Sequence, residues 1–243
     1  MFNPKLYQRI DVEIINHKDE IKPVVLPPVI IKNVCVVISA YDAAEFIEEC
    51  LDSIQVQTYK NFRILLGIDG CKKTLNKVKE IMGKYENLQV YYSKKNNGVY
   101  MMFNALSELV DDNEYIQFFG ADDVMHPDML EKMVKHEVAI SRHVGVLFVQ
   151  AKELRKAGGF RPWRCAADAD MVLRLRMIRH KREKIEEIHY YRRIHPKQLT
   201  AVGTKTGNGS KLREEYHRIT EENYKSETPV TYINPKKSKL KKL

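Results

Sequence analysis

Four short apolar runs, each followed by a segment of helical periodicity, constrain this chain more than any other feature. Val34–Ile38 (VCVVI), Arg63–Ile68 (RILLGI), Leu88–Tyr92 and Tyr115–Phe119 have strand length and are rich in β-branched and aromatic residues. A helix is expected from near Ala43, because Phe46, Ile47, Cys50, Leu51 and Ile54 recur at helical spacing while Glu45, Glu48 and Glu49 face outward. Further helices are expected from about Lys73 to Tyr85, burying Leu75, Val78 and Ile81 or Met82, and from Val99 to about Val110. Another runs from Pro127 to about His136. Strand–helix alternation of this kind specifies an α/β fold, with a mostly parallel central sheet, right-handed crossovers and helices on both faces.

The second half changes character. Val144–Val149 reads as a strand, and Ala151–Ala157 as a short helix stopped by Gly158-Gly159. Phe160–Trp163 is a loop carrying the only tryptophan, and a helix opens at Ala166–Met171. Ile185–Tyr191 reads as a strand, and residues 209–225 as a polar helix. Pro23, Pro27 and Pro28 argue against regular structure near the start, so residues 1–32 form an N-terminal arm. The expected organisation is this arm, then a domain over 33–200 with a ligand-binding half at 33–126 and a second half at 127–200. A C-terminal helix and basic tail follow over 201–243.

With 44% hydrophobic residues in 243, the chain can build a substantial core. No apolar run approaches the roughly 20 residues that span a bilayer, and MFNPKLYQRIDVEI lacks a signal-peptide core. The four cysteines show no CxxC spacing and read as reduced thiols. A cytoplasmic location is expected, either free, peripheral on the inner membrane face, or as a phage enzyme in its host. Five of the nine net positive charges are lysines in the last eight residues, Lys236, Lys237, Lys239, Lys241 and Lys242. That tail is expected to be mobile and solvated, with nucleic-acid phosphates or an anionic membrane as its other candidate partners. A second basic group comprises Arg174, Arg176, Arg179, Lys181, Arg182, Arg192 and Arg193.

The chemistry centres on YIQFFGADDVMHP, residues 115–127, where the fourth strand ends in Asp122 and Asp123. Ligands of open α/β sheets bind at the carboxyl edge, and hard oxygen donors there suit Mg²⁺ or Mn²⁺, which can hold a diphosphate. Taken alone, these thirteen residues favour a solvated acidic turn. Asp69-Gly70 ends the second strand at the same edge. Neither GxGxxG after the first strand nor GxxxxGK[ST] occurs, so neither a fingerprinted dinucleotide fold nor a P-loop is indicated.

Several pieces occurring in order give a more specific reading: Val36–Tyr41, Cys50–Ile54 with Gln57–Phe62, Asp69-Gly70, Asn97-Gly98, Asn104-Ala105, Ala121-Asp122-Asp123 with Pro127, Gly158-Gly159-Phe160, Asp168 with Asp170, Leu173 and Arg174, and Arg193 with His195. From Val34 to His195 the chain resembles the inverting, nucleotide-sugar-dependent glycosyltransferases of family 2, which have the Rossmann-like GT-A fold. The resemblance implies a nucleotide-diphosphate sugar as donor, oriented by Ala40, Tyr41, Asp69, Asn97, Gly98 and Asp122. It implies Mn²⁺ or Mg²⁺ on Asp122 and Asp123, with His195 as a third ligand or a diphosphate contact, and Asp168 as catalytic base. Acceptor contacts are expected from Trp163, whose loop indole can cover a sugar or a base, and from Asp170 and Arg193. Three positions depart from the family pattern: Gly120 and Ala167 where acids are common, and Phe103 where an arginine is common.

Other readings stand beside these. Asp168 or Asp170 can cap a helix, Asp170 can be structural, and His195 can be an ordinary strand-end histidine. Tyr91, Tyr92 and Met101-Met102-Phe103 read as core. The acceptor is expected to be a glycan or a lipid-linked sugar. The competing readings are a hydroxymethylated base in phage-type DNA, reached through the basic cluster and lysine tail, and a non-catalytic nucleotide-sugar-binding pseudoenzyme.

Overall fold

The computed structural model describes residues 31–141, 146–178, 183–187, 189–226 and 240–243, so the N-terminal arm lies outside the described residues except for its last two. The strands β1 (Val34–Ala40), β2 (Phe62–Asp69), β3 (Leu88–Ser93) and β4 (Tyr115–Gly120) are parallel neighbours in the order β3-β2-β1-β4. The intervening helices are α1 (Ile47–Gln55), α2 (Lys72–Ile81) and α3 (Val99–Ser107). Strand periodicity divides the core. Val34, Val36, Ile38 and Ala40 face one cluster with α1 and α2, and Cys35 and Val37 face another with α3. Burial on both faces explains why β1 is a continuous apolar run. Gly67 lets α3 approach β2 closely, since a Cβ there would lie 2.7 Å from Met102 Cγ and 2.9 Å from Leu106 Cδ1. Met102 and Phe103 are core residues, as expected.

Beyond β4 the structure corrects several expectations. A two-residue strand β5 (Val124–Met125) precedes a shorter helix α4 (Met129–Met133). Strand β6 (Val138–Ile140), absent from the sequence reading, pairs antiparallel with β7 (Leu147–Gln150), which pairs antiparallel with β4. Helices α5 (Ala151–Lys156) and α6 (Ala167–Met177) follow. The single strand expected at Ile185–Tyr191 is instead two pieces. β8 (Glu183–Lys184) runs parallel to β6, and β9 (Tyr190–Tyr191) pairs with β5. Exposed Glu186 and Glu187 separate them, carboxylates that a buried strand could not hold.

Helix α7 (Lys211–Lys225) is capped by Ser210, whose hydroxyl accepts the Arg213 N–H, and it packs on α6. The last four residues are not a mobile tail. Lys241–Lys242 form β10, antiparallel to Tyr91 and Tyr92 of β3. Leu240 and Leu243, three apart and so on opposite faces of a strand, each join one of the two core clusters. Lys236, Lys237 and Lys239 lie outside the described residues. Among the described residues no helix is long and apolar enough to cross a membrane.

Candidate functional site

The carboxyl ends of β1, β2 and β4 reach one edge of the sheet, where Ser39 aligns with Gly67 and Gly120. The Asp122 and Asp123 carboxylates converge there. A Cβ built on Gly120 would lie 3.0 Å from Asp122 Oδ1 and 3.0 Å from Asp123 Oδ2, so a side chain at 120 would fill the cleft between them. Burial, then the neighbouring charge of Asp122, pushes the Asp123 carboxyl up to about 6, against the pull of the Arg193 N–H that it accepts. Two carboxylates held close with one resisting ionisation form a donor set that a divalent cation would stabilise. Arg193 lines a cavity beside Asp123 and is held by three polar contacts. Its N–H donates to Asp123 Oδ1 (2.9 Å), its Nε to the Asp122 carbonyl (3.0 Å), and its guanidinium pairs with Glu49 above the Phe46 ring. His195 Nε2 lies 2.9 Å from Asp122 Oδ2, with its ring against Phe46. Among the described residues no three His, Cys, Asp or Glu side chains form a ready metal cage. The expected set of Asp122, Asp123 and His195 is therefore an acid pair with a histidine bonded to one member.

Helix α1 fixes this segment from behind. The Ser53 hydroxyl accepts the Met125 N–H (2.9 Å). Buried Gln57 donates to the His126 carbonyl (2.7 Å) and accepts the Leu130 N–H (2.9 Å). In the sequence, Ser53 and Gln57 fall in stretches that carry the resemblance but have no site role of their own.

A cavity of about 470 Å³ lies beside the acid pair, bounded by Ser39, Tyr41, Asp42, Phe46, Asp69, Asn96, Asp122 and His195. The Ala40 side chain is not among its walls; it is fully buried in the core, and the alternation of β1 turns Ser39 and Tyr41 to the cavity instead. Asp69 is 1% exposed, and both its oxygens are used by the loop. Oδ1 accepts the Asn97 N–H and Oδ2 the Gly98 N–H, each at 2.8 Å. The Asn97 side chain also turns inward, donating to Asp69, Ser93 and the Lys95 carbonyl, so Asn96 is the loop asparagine facing the cavity. Gly98 sits at φ 93°, a left-handed conformation that opens α3 at the cavity wall.

A second cavity of about 330 Å³ shares Val99, Gly120, Asp122, Gln198 and Leu199 with the first. Asp123 and Asp168 both line it. Neither Asp168 nor Asp170 caps α6, whose N-cap is Ala166 at φ 60° with no side-chain cap bond. Asp168 Oδ1 accepts the Tyr100 hydroxyl at 2.8 Å. Tyr100 was missed in the sequence because it reads as one more apolar position of α3, although a buried phenol needs a partner. Ala167 is fully buried among apolar side chains, where an acid would be desolvated without a partner. Phe103 packs on Phe118 at 4.8 Å and Phe160 at 5.8 Å, completing an aromatic floor. Asn104 locks the Gly158-Gly159-Phe160 turn by accepting the Phe160 N–H (2.8 Å) and donating to its carbonyl (2.7 Å).

Two expected acceptor residues are used internally. Asp170 is 2% exposed and paired with Arg161 Nε (2.8 Å) and Arg174 Nε (2.7 Å). The Trp163 indole stacks on Tyr216 of α7 at 4.4 Å and lines neither cavity. The basic cluster is likewise dispersed: Arg174 is buried, Arg176 lies over Tyr224, and Arg179, Lys181 and Arg182 lie outside the described residues.

Residues 35–191 match the family model for Glycosyl transferase family 2. The chain is 26% identical over 113 residues to the glycosyltransferase GlyA of Streptococcus pneumoniae, covering 46% of this chain and 16% of that protein. It thus spans under a third of the length of the curated relatives it matches. Its fold superposes with TM-score 0.62 on the mannosyltransferase PcManGT from Pyrobaculum calidifontis in complex with GDP-Man and Mn²⁺, at 17% identity, covering 84% of this chain and 67% of that one. It superposes with TM-score 0.58 on S. aureus TarS 1-349 in complex with UDP-GlcNAc, at 15% identity, covering 65% and 57%.

Proposed function

The chain belongs to glycosyltransferase family 2, and from that premise we propose that it moves a sugar from a nucleotide diphosphate to an acceptor hydroxyl with inversion at the anomeric carbon. The observation that carries this reading is the placing of Asp168 and the Asp122–Asp123 pair on one cavity, continuous through shared walls with a second cavity large enough for a nucleotide. In this reading the larger cavity holds the nucleotide between Tyr41, Asp42 and Asn96, on a loop that Asp69 anchors. Asp122 and Asp123 would hold Mn²⁺ or Mg²⁺, an ion that supplies Lewis-acid stabilisation to a departing diphosphate. The cleft over Gly120 and the raised Asp123 carboxyl both fit such an ion. His195 is the diphosphate contact rather than a necessary ligand, since it already bonds Asp122.

Asp168 is the base. The Tyr100 hydroxyl fixes Oδ1 and orients the carboxylate, and Oδ2 takes the acceptor proton as the new glycosidic bond forms. The aromatic floor of Phe103, Phe118 and Phe160 keeps water from the anomeric carbon.

A thermal-shift screen of UDP- and GDP-sugars with and without Mn²⁺ tests the reading. A ligand at 100 times its Kd stabilises the native state by about 2.7 kcal/mol, so the true donor raises the melting temperature, and more so with the cation. The absence of a shift with every sugar nucleotide contradicts the reading.

A further inference from the structure

The segment from Tyr190 to Arg213 has a composition unlike the rest of the chain. It contains six lysines and arginines (Arg192, Arg193, Lys197, Lys205, Lys211 and Arg213) and no aspartate or glutamate. It also leaves large apolar side chains in solvent: Tyr191 is 56% exposed, Ile194 84%, Leu199 40% and Val202 83%. Half of the eight large apolar side chains exposed among the described residues thus fall within twelve positions. The segment is ordered by successive turns, with Ala201 N–H to the Gln198 carbonyl (3.0 Å) and Asn208 N–H to the Thr200 carbonyl (3.2 Å). Gln198 and Leu199 line both cavities, so whatever covers the apolar residues meets the chain at the mouth of the site.

We propose that residues 191–205 form an interfacial docking surface for an anionic lipid bilayer, with Ile194 and Val202 entering the headgroup boundary and the exposed Arg192 and Lys205 meeting lipid phosphates. Exposed aliphatic side chains interleaved with cations are complementary to such a surface. Arg193 and Lys197 of the segment are already paired with Glu49, Asp42 and Glu45, which leaves Arg192 and Lys205 for the lipid. Resting on the glycosyltransferase reading, the docked position narrows the acceptor to a lipid-linked hydroxyl compound delivered from the bilayer to the Asp168 cavity.

The test is co-sedimentation of the full chain with vesicles of phosphatidylcholine and phosphatidylglycerol at 7:3, beside pure phosphatidylcholine vesicles and a 24-base-pair DNA duplex. The expected result is binding to the anionic vesicles that weakens with salt and falls at least about tenfold in the Ile194→Ser/Val202→Ser variant. Thermal shifts by sugar nucleotides remain as in the unaltered chain, which separates failure of this surface from failure of the donor site. Undiminished vesicle binding by the variant overturns the proposal, as does binding to the duplex without binding to vesicles.

Discussion

Two acids two residues apart on α6 should behave oppositely when altered, and the difference follows from what each touches. Asp170→Ala removes the carboxylate that pairs with Arg161 and Arg174, leaving the Arg174 guanidinium 4% exposed with no countercharge. Arg174 Nη2 is already without a hydrogen-bond partner, and the Ala157 carbonyl that Nη1 retains is a neutral acceptor that does not replace the lost charge. Breaking one side of a buried pair costs about 3–5 kcal/mol. In a domain of this size each kcal/mol lowers the melting temperature by about 2–4 °C, so the expected fall is roughly 6–20 °C. The double variant Asp170→Leu/Arg174→Met should recover most of it, because a well-packed apolar pair replaces a desolvated ionic one. Asp168→Asn keeps an oxygen for the Tyr100 hydroxyl and should melt within about 2 °C of the unaltered protein. Circular dichroism melts of the three variants decide the matter. A stable Asp170→Ala, or an Asp168→Asn that unfolds early, would refute the assignment of one acid to the scaffold and the other to the site.

Three further outcomes are expected. The Asp123 carboxyl is raised from 3.8 to about 6, so the folded protein holds its proton more tightly than the unfolded chain. Its contribution to stability is present below 3.8 and lost as pH rises through 6, a change of up to about 3 kcal/mol. In the proposed reading Mn²⁺ would replace that proton, so the rise in melting temperature with the cation should be larger at pH 7.5 than at pH 5. Gly120→Ala should abolish the Mn²⁺-dependent part of the shift, measured in the same melts, because its methyl group occupies the cleft between the carboxylates. Gly67→Ala should lower stability by about 1–3 kcal/mol in urea titrations, through overpacking against Met102 and Leu106.

The succession of β1 to β4 along the chain was legible because strands buried on both faces write continuous apolar runs, and because the helices between them carry a clear period. Strand β6 was not legible, since its pairing partners are 147–149 and 183–184 and nothing in three residues announces them. The acids stand at the sheet edge where the sequence puts them, yet two of the residues expected beside them turn away from the cavity. Tyr41 and Gly98 line the cavity, but Ser39 stands there instead of the Ala40 side chain and Asn96 instead of Asn97, because side chains alternate along a strand and a loop asparagine can turn toward a buried carboxylate. Asp170 looked like a site residue beside Asp168. Its partner Arg161 comes from the preceding loop, a contact that only the fold creates. The departures at Gly120 and Ala167 resemble losses of function in the sequence, and packing gives each a steric or desolvation cause.

The most direct test of the account compares sugar-nucleotide binding and turnover in Asp168→Asn, by calorimetric titration with the donor found in the thermal screen and by release of the nucleoside diphosphate in the presence of acceptor. With Asp168 as the base, the donor Kd stays unchanged and turnover falls by about 10²–10⁴-fold, the usual worth of a positioned general base. Turnover unchanged in Asp168→Asn, or donor binding lost with it, would contradict the assignment of Asp168 as the base.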